Sequence, residues 1–148
     1  MAPSPIQTSS TTVTTTPASS STTTTLPSTA CASGATFVSI ACRVDELLAL
    51  VQSSGVLGPL QPSFVTRVVR AQRMITAAAE ECAAGDEMAV RSALDVLGRQ
   101  LTILGSRTRT NRARKIIPVD VVDAIASAVQ TIGGDVQGRG LRASLACP

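Results

Sequence analysis

The composition of the chain changes abruptly at Cys31, and this change limits folding to the part that follows. Residues 1–30 contain eighteen Ser or Thr, four Pro and no charged residue. Such a segment cannot bury enough apolar surface to offset the entropy lost on folding. We therefore expect a disordered Thr/Ser/Pro-rich stalk or linker over residues 1–30 and a single globular domain over residues 31–148.

Apolar residues after Cys31 recur with the period of amphipathic helices, and no stretch alternates convincingly as a β-strand does. Four helices are predicted, at about 36–53, 62–83, 86–105 and from residue 118 onward. The connections between the first three are short, which favours antiparallel neighbours. The sequence therefore predicts an all-α fold, an up-down-up-down four-helix bundle preceded by a disordered tail.

Individual residues mark the ends of these helices. Asp86 is expected to cap the third helix, and Pro118 to begin the fourth. Gly85 is typical of the residue that follows a helix C-terminus. We expect Gly105 to close the third helix and the pair Gly133–Gly134 to weaken or break the fourth.

The composition also restricts the chemistry available to the domain. Aromatic residues make up 1% of the chain, so the core must be built from Leu, Val, Ile and Ala, and is marginal without crosslinks. Histidine is absent, which removes the commonest general base and the commonest metal ligand. There is also no Gly-rich phosphate-binding loop. We therefore expect a protein that is not an enzyme and has no cofactor and no metal site.

Four cysteines in a small domain behind a Ser/Thr-rich segment favour disulfides, which can pair in three ways. In the predicted bundle the second and fourth helices run in the same direction, so Cys82 and Cys147 finish at the same end. Cys42 lies roughly 14 Å below the level of Cys82, beyond the reach of a disulfide. Cys31 can fold back to Cys42 through residues 32–35. We therefore predict the pairs Cys31–Cys42 and Cys82–Cys147.

The Cys82–Cys147 pair would close a long loop and contribute about 3–4 kcal/mol in the chain-entropy account. Two alternatives remain for the cysteines. They could be buried thiols in a cytosolic protein, or they could bind zinc. Zinc binding is disfavoured because the spacings lack the paired Cys motifs of zinc sites and no histidine is present.

The densest charge on the chain lies between the third and fourth helices, in a segment predicted to be a loop. Five cations fall within residues 107–115, namely Arg107, Arg109, Arg112, Arg114 and Lys115. They are the candidate residues for binding a polyanion such as nucleic acid or a cell-envelope polymer. The alternative is a solvated loop whose cations favour the negative end of the third helix. No aromatic residue is interleaved for base stacking, which makes nucleic acid an unfavoured partner.

Three segments of the chain resemble a group of uncharacterised bacterial domains. They are Ala35–Arg43 (ATFVSIACR) behind the Thr run, Cys82–Gly85 (CAAG) and Ala113–Pro118 (ARKIIP). The group consists of C-terminal helical domains of secreted proteins that follow Thr-rich linkers, and the resemblance spans most of residues 22–148. It implies an extracellular or cell-envelope location and assigns no activity.

The N-terminus lacks the features of a signal peptide, and no apolar stretch reaches the length of a membrane span. We therefore expect the chain to be the C-terminal piece of a longer secreted protein, or its start to be misassigned. The leading hypothesis is a non-enzymatic extracellular or cell-envelope module, in which an O-glycosylated stalk tethers a helical bundle that serves anchoring, sorting or assembly. Its partner would be an upstream domain, an envelope polymer or another copy. The alternative is a polyanion- or nucleic-acid-binding module acting through residues 107–115.

Overall fold

The described secondary structure is entirely helical, which confirms the predicted all-α class. The computed structural model describes residues 31–32, 34–53, 55–137, 140–145 and 147, so the predicted stalk lies outside the described residues. Its elements are α1 (Phe37–Ser53), a 3₁₀ segment (Gly55–Leu60), α2 (Gln61–Ala83), α3 (Glu87–Thr108), α4 (Asn111–Ile116) and α5 (Val119–Val136). None of the helices in the described part combines the length and apolarity needed to cross a bilayer.

The four long helices surround one core. Helix α1 contacts α2 and α5, and α3 contacts the same two helices, so every long helix has two long neighbours. The core is aliphatic, as the composition predicts, and Phe64 is the one aromatic side chain among its buried members. Its largest fully buried side chains are Phe64, Ile40, Leu47, Leu57, Ile75, Leu94, Leu97, Leu101, Leu104, Ile125, Ile132 and Val44.

Hydrogen bonds connect α2 with the helices on either side of it. The side-chain amide of Gln61, the first residue of α2, donates to the carbonyl oxygen of Gln52 near the end of α1 (2.9 Å). Arg107 in the last turn of α3 donates to Ser63 Oγ in the first turn of α2 (2.7 Å). The start of α2 therefore lies beside the ends of both α1 and α3.

Two of the predicted helix ends are confirmed. The carboxylate of Asp86 accepts a hydrogen bond from the backbone N–H of Ala89 (2.9 Å) and caps α3. Gly85 precedes it with φ of 80°, a left-handed conformation that turns the chain sharply between α2 and α3.

Gly105 does not end α3, contrary to the sequence-based expectation. The helix continues to Thr108, which is fully buried. The physical reason is the neighbouring helix, because a Cβ atom at Gly105 would lie 3.3 Å from Val129 Cγ1 of α5. The glycine lets α3 and α5 approach each other, and their packing outweighs its low helix propensity.

The pair Gly133–Gly134 does not break α5 either. The helix continues to Val136, and both Ile132 and Val136, on either side of the pair, are buried in the core. The carboxylate of Asp135 forms an ion pair with Arg43 of α1. These tertiary contacts hold the last turn in place against a propensity cost of about 1 kcal/mol for each glycine.

Replacing Gly134 by alanine should stabilise the protein, because a Cβ atom there meets no other atom within 4 Å. We expect Gly134→Ala to raise the free energy of unfolding by about 0.5–1 kcal/mol. Urea unfolding followed by circular dichroism measures the change.

Gly140→Ala is the matched control, since its Cβ would lie 2.0 Å from the carbonyl oxygen of Asp135. This variant should be less stable than the unmodified protein. A Gly134→Ala variant that is also destabilised would show that α5 needs the glycine, contrary to our explanation.

Candidate functional site

Both predicted disulfides are present. Cys31 is bonded to Cys42 with the two Cα atoms 5.7 Å apart, and Cys82 is bonded to Cys147 with the Cα atoms 5.0 Å apart. The first bond closes a short loop at the junction between the predicted stalk and α1. The second spans 65 residues and joins the end of α2 to the segment after α5.

Polar contacts attach the same junction to two helices. The buried side chain of Ser39 donates a hydrogen bond to the carbonyl oxygen of Ala32. Arg43 donates through Nη2 to the carbonyl oxygen of Gly34 (2.8 Å) and forms an ion pair through Nη1 with Asp135 of α5. The chain between Cys31 and α1, which we call the junction, is therefore fixed to α1 by a covalent bond and to α5 through Arg43.

The segment after α5 is also fixed to the bundle. The backbone N–H of Leu141 donates to the carbonyl oxygen of Asp135 (2.6 Å), and the side chain of Leu141 is buried. Arg142 forms an ion pair with Asp95 of α3. Together with the bond from Cys147 to Cys82, these contacts cover the end of α5 and connect it to α2 and α3.

One cluster near the junction has the composition of a weak metal site. The sulfur atoms of Cys31 and Cys42 and a carboxylate oxygen of Glu46 lie within 4.8 Å of one another. Both sulfurs take part in the disulfide, so they are not the thiolates that bind metal ions. The cluster therefore offers one available ligand, the exposed carboxylate of Glu46.

Most of the basic segment 107–115 is helical, with a short turn at Arg109 and Thr110, and it is not the loop that the sequence predicted. Arg107 lies in the last turn of α3, Arg109 is its C-terminal cap, and Arg112, Arg114 and Lys115 belong to α4. Thr110 caps α4 by accepting a hydrogen bond from the backbone N–H of Ala113 (3.2 Å). The fully buried Ala113 anchors this short helix on the core, which explains why a run of cations is ordered here.

The five cations do not form one surface. Arg107 and Arg112 line a groove of about 290 Å³ beside the start of α2. Arg109 and Arg114 line a different groove of about 400 Å³ beside the start of α5, and Asp123 lies in the same wall. Lys115 is exposed on α4 and lines neither groove. Helix α4 therefore divides the predicted polyanion-binding residues between two faces.

The structure reveals a second basic feature that the sequence analysis missed. Arg67 and Arg70 of α2 line a groove of about 360 Å³ together with Ser63 and Gln100, and we call it the arginine groove. Arg107 lies beside it, because its guanidinium donates to Ser63 Oγ. Only the packing of α3 against α2 brings these three arginines together, since 37 residues separate Arg70 from Arg107 in the sequence.

Arg67 is the most constrained member of this cluster. Its Nη1 donates weakly to Gln100 Oε1 (3.4 Å), and its Nε is buried without a hydrogen-bond partner. Burial lowers the pKa of the Arg67 guanidinium, and the like charges of Arg107 and Arg70 lower it further. Arg67 therefore lies in an electrostatic environment that disfavours its own charge.

A larger groove of about 420 Å³ runs along α3 and α5. Arg109 is the one titratable residue in its walls. Its lining residues are Gly98, Leu101, Thr102, Gly105, Ser106, Arg109, Ala126, Val129, Gln130, Gly133 and Gln137.

Comparison of the chain with protein-family models, with curated protein sequences and with solved structures found no match. The resemblance to domains that follow Thr-rich linkers stays a prediction.

The two disulfides should contribute unequally to stability. In the chain-entropy account, losing Cys82–Cys147 costs about 4 kcal/mol, because it closes a loop of 65 residues, and losing Cys31–Cys42 costs about 3 kcal/mol. The double variants Cys82→Ala/Cys147→Ala and Cys31→Ala/Cys42→Ala, compared by urea unfolding, test this order. A larger loss for the Cys31–Cys42 variant would mean that the junction holds more of the fold than the loop lengths indicate.

Proposed function

We propose that the chain is a non-enzymatic extracellular or cell-envelope module in which a Ser/Thr/Pro-rich stalk tethers a disulfide-stapled helical bundle. The observation that carries this proposal is the junction, where Cys31, the first residue after the stalk, is bonded to Cys42 of α1. Two disulfides and no free cysteine among the described residues support an oxidising location.

The junction is suited to transmit a pull on the stalk. Force applied to residues 1–30 reaches Cys31 and passes through the disulfide into Cys42, within α1. The polar contacts of Arg43 share that load with α5 through Asp135. A covalent bond is therefore loaded before the aliphatic core, which is the order that a tether needs.

We further propose that the four long helices run up-down-up-down. The start of α2 lies beside the ends of α1 and α3, through Gln61 and Ser63. Arg43, in the second turn of α1, pairs with Asp135 in the last turn of α5. In this arrangement both disulfides lie at one end of the bundle and the arginine groove lies at the other.

This orientation assigns different tasks to the two ends. The end with the disulfides receives the stalk, and the opposite end faces away from the attachment point, free for anchoring, sorting or assembly. A stalk of thirty residues in an extended polyproline-like conformation would hold the bundle on the order of 90 Å from an upstream domain or surface. O-glycans on its Thr run would stiffen it further.

A polyanion- or nucleic-acid-binding role for residues 107–115 is the second candidate function. Arg107 and Arg112, which share one groove, favour it. Arg109 and Arg114 line another groove next to the carboxylate of Asp123, which lowers the attraction of that face for an anion.

Mass spectrometry of the protein isolated from its native cell tests the proposed location. We expect disulfide-linked peptides that contain Cys31 with Cys42 and Cys82 with Cys147, and hexose additions on the Thr residues before Cys31. The same measurement reads any polypeptide upstream of residue 1. Four free thiols together with an unmodified N-terminal segment would contradict the extracellular proposal.

Single-molecule pulling on the full chain, held at residues 1 and 148, tests the load path. At roughly 3.5 Å per residue, Cys31→Ala/Cys42→Ala should extend about 30 Å further than the unmodified protein, because residues between the two cysteines then join the stretched chain. Cys82→Ala/Cys147→Ala is the matched control and should extend about 220 Å further. An unchanged length in the first variant would show that the Cys31–Cys42 bond bears no force.

A further inference from the structure

In the described part of the chain, three guanidinium groups lie beside the start of α2 and none of them forms an ion pair. Arg67 and Arg70 share the arginine groove, and Arg107 of the neighbouring helix reaches its edge through its hydrogen bond to Ser63 (2.7 Å). Among the described residues, the ion pairs involve other arginines, namely Arg43, Arg91 and Arg142. Like charges held this close repel one another, and a bound anion would remove the repulsion.

The remaining lining of the arginine groove is also suited to an anion. Ser63, Thr66 and Gln100 line it, and the Thr66 hydroxyl, which donates to the carbonyl oxygen of Pro62 (2.8 Å), leaves its oxygen as an acceptor. The first turn of α2 contains no acidic residue, so the positive end of its helix dipole is not neutralised. The walls of the groove therefore present hydrogen-bond donors and positive charge together.

The basic surface extends beyond this groove. Arg107 lines the neighbouring groove with Arg112, and its hydrogen bond to Ser63, a lining residue of the arginine groove, places the two grooves side by side. Four arginines from α2, α3 and α4 thus follow one continuous path. A path of this kind fits an extended ligand with repeated anionic groups better than a single small anion.

The aromatic content of the domain decides between classes of polyanion. Sequence-tolerant binding of single-stranded nucleic acid uses exposed aromatic rings on which bases stack. Phe64 is 1% exposed, and Phe37, the other aromatic residue of the chain, is partly buried at the start of α1. The basic path therefore lacks a stacking platform, and its arginines match sulfate, phosphate or carboxylate groups through their paired N–H donors.

We propose that the path formed by Arg67, Arg70, Arg107 and Arg112 binds an acidic polysaccharide. Bidentate contacts from the guanidiniums to the anionic groups of the polymer supply the affinity, and Ser63, Thr66 and Gln100 contact its hydroxyls. This site differs from the predicted one over residues 107–115, because two of its four arginines belong to α2 and three of the five predicted cations lie outside it. It does not depend on the stalk or on the proposed location.

Titration of the full chain with a heparin oligosaccharide, used as the acidic-polysaccharide probe, tests the proposal. The double variant Arg70→Gln/Arg107→Gln should bind about tenfold more weakly. It should also reduce the magnitude of the slope of log affinity against log salt concentration by about two, because two fewer counterions are released. Both residues are exposed, so we expect the unfolding temperature to change little, because relief of the repulsion offsets the loss of the Arg107–Ser63 hydrogen bond.

Arg109→Gln/Arg114→Gln is the matched control, since it removes the same charge from the other groove. It should change heparin affinity by less than about twofold, a difference of less than about 0.4 kcal/mol. Equal losses in both variants would overturn the proposal, because they would show attraction by net charge alone. Absence of heparin binding at low salt would overturn it as well. Tighter binding of an oligo(dT) of equal charge, abolished by the same variant, would assign the path to nucleic acid instead.

Discussion

The packing of α3 between α2 and α5 is the contact on which the other features depend. Helix α3 buries a row of leucines, Leu94, Leu97, Leu101 and Leu104, and contacts both neighbours. Gly105 allows α5 to approach it closely. The same packing sets the end of α3 beside the start of α2, where Arg107 reaches Ser63. The buried leucine row of α3 therefore determines where the surface charges lie as well as how the core packs.

An aliphatic core of this size leaves the ends of the bundle weakly held. The two disulfides attach the terminal segments to the helices. Cys147 follows the last helix and is tied to the end of α2, so that the final segment cannot separate from the core. Arg142 and Asp95 reinforce that attachment. Cys31 performs the equivalent task at the other terminus of the domain, with Arg43 in support. Covalent and ionic contacts therefore fix both terminal segments to neighbouring helices.

Features set by local sequence or by the lengths and directions of the helices are predictable, and features set by side-chain contacts between neighbouring helices are not. The leucine row of α3, the cap at Asp86 and both cysteine pairs follow from spacing and helix geometry. Gly105 and Gly133–Gly134 were misread as helix breakers because their cost is offset by contacts with other elements, which local propensity does not contain. Helix α4 was not predicted because its order depends on the burial of Ala113 beside the Thr110 cap, and this burial is set by neighbouring elements. The arginine groove was not predicted because it forms only where α2 and α3 pack side by side, and the sequence does not give their relative axial position.

The loop closed by Cys31 and Cys42 changes what proteolysis can do to this chain. Ala32, Gly34 and Thr36 lie between the two cysteines and are exposed, so this is a place where a protease can cut. A single cut there leaves the N-terminal segment joined to α1 through the disulfide. Separation of the N-terminal segment from α1 then needs two unrelated reactions, hydrolysis of a peptide bond and reduction of the disulfide. For a cut within this loop, the disulfide therefore makes separation depend on a reductant as well as on a protease.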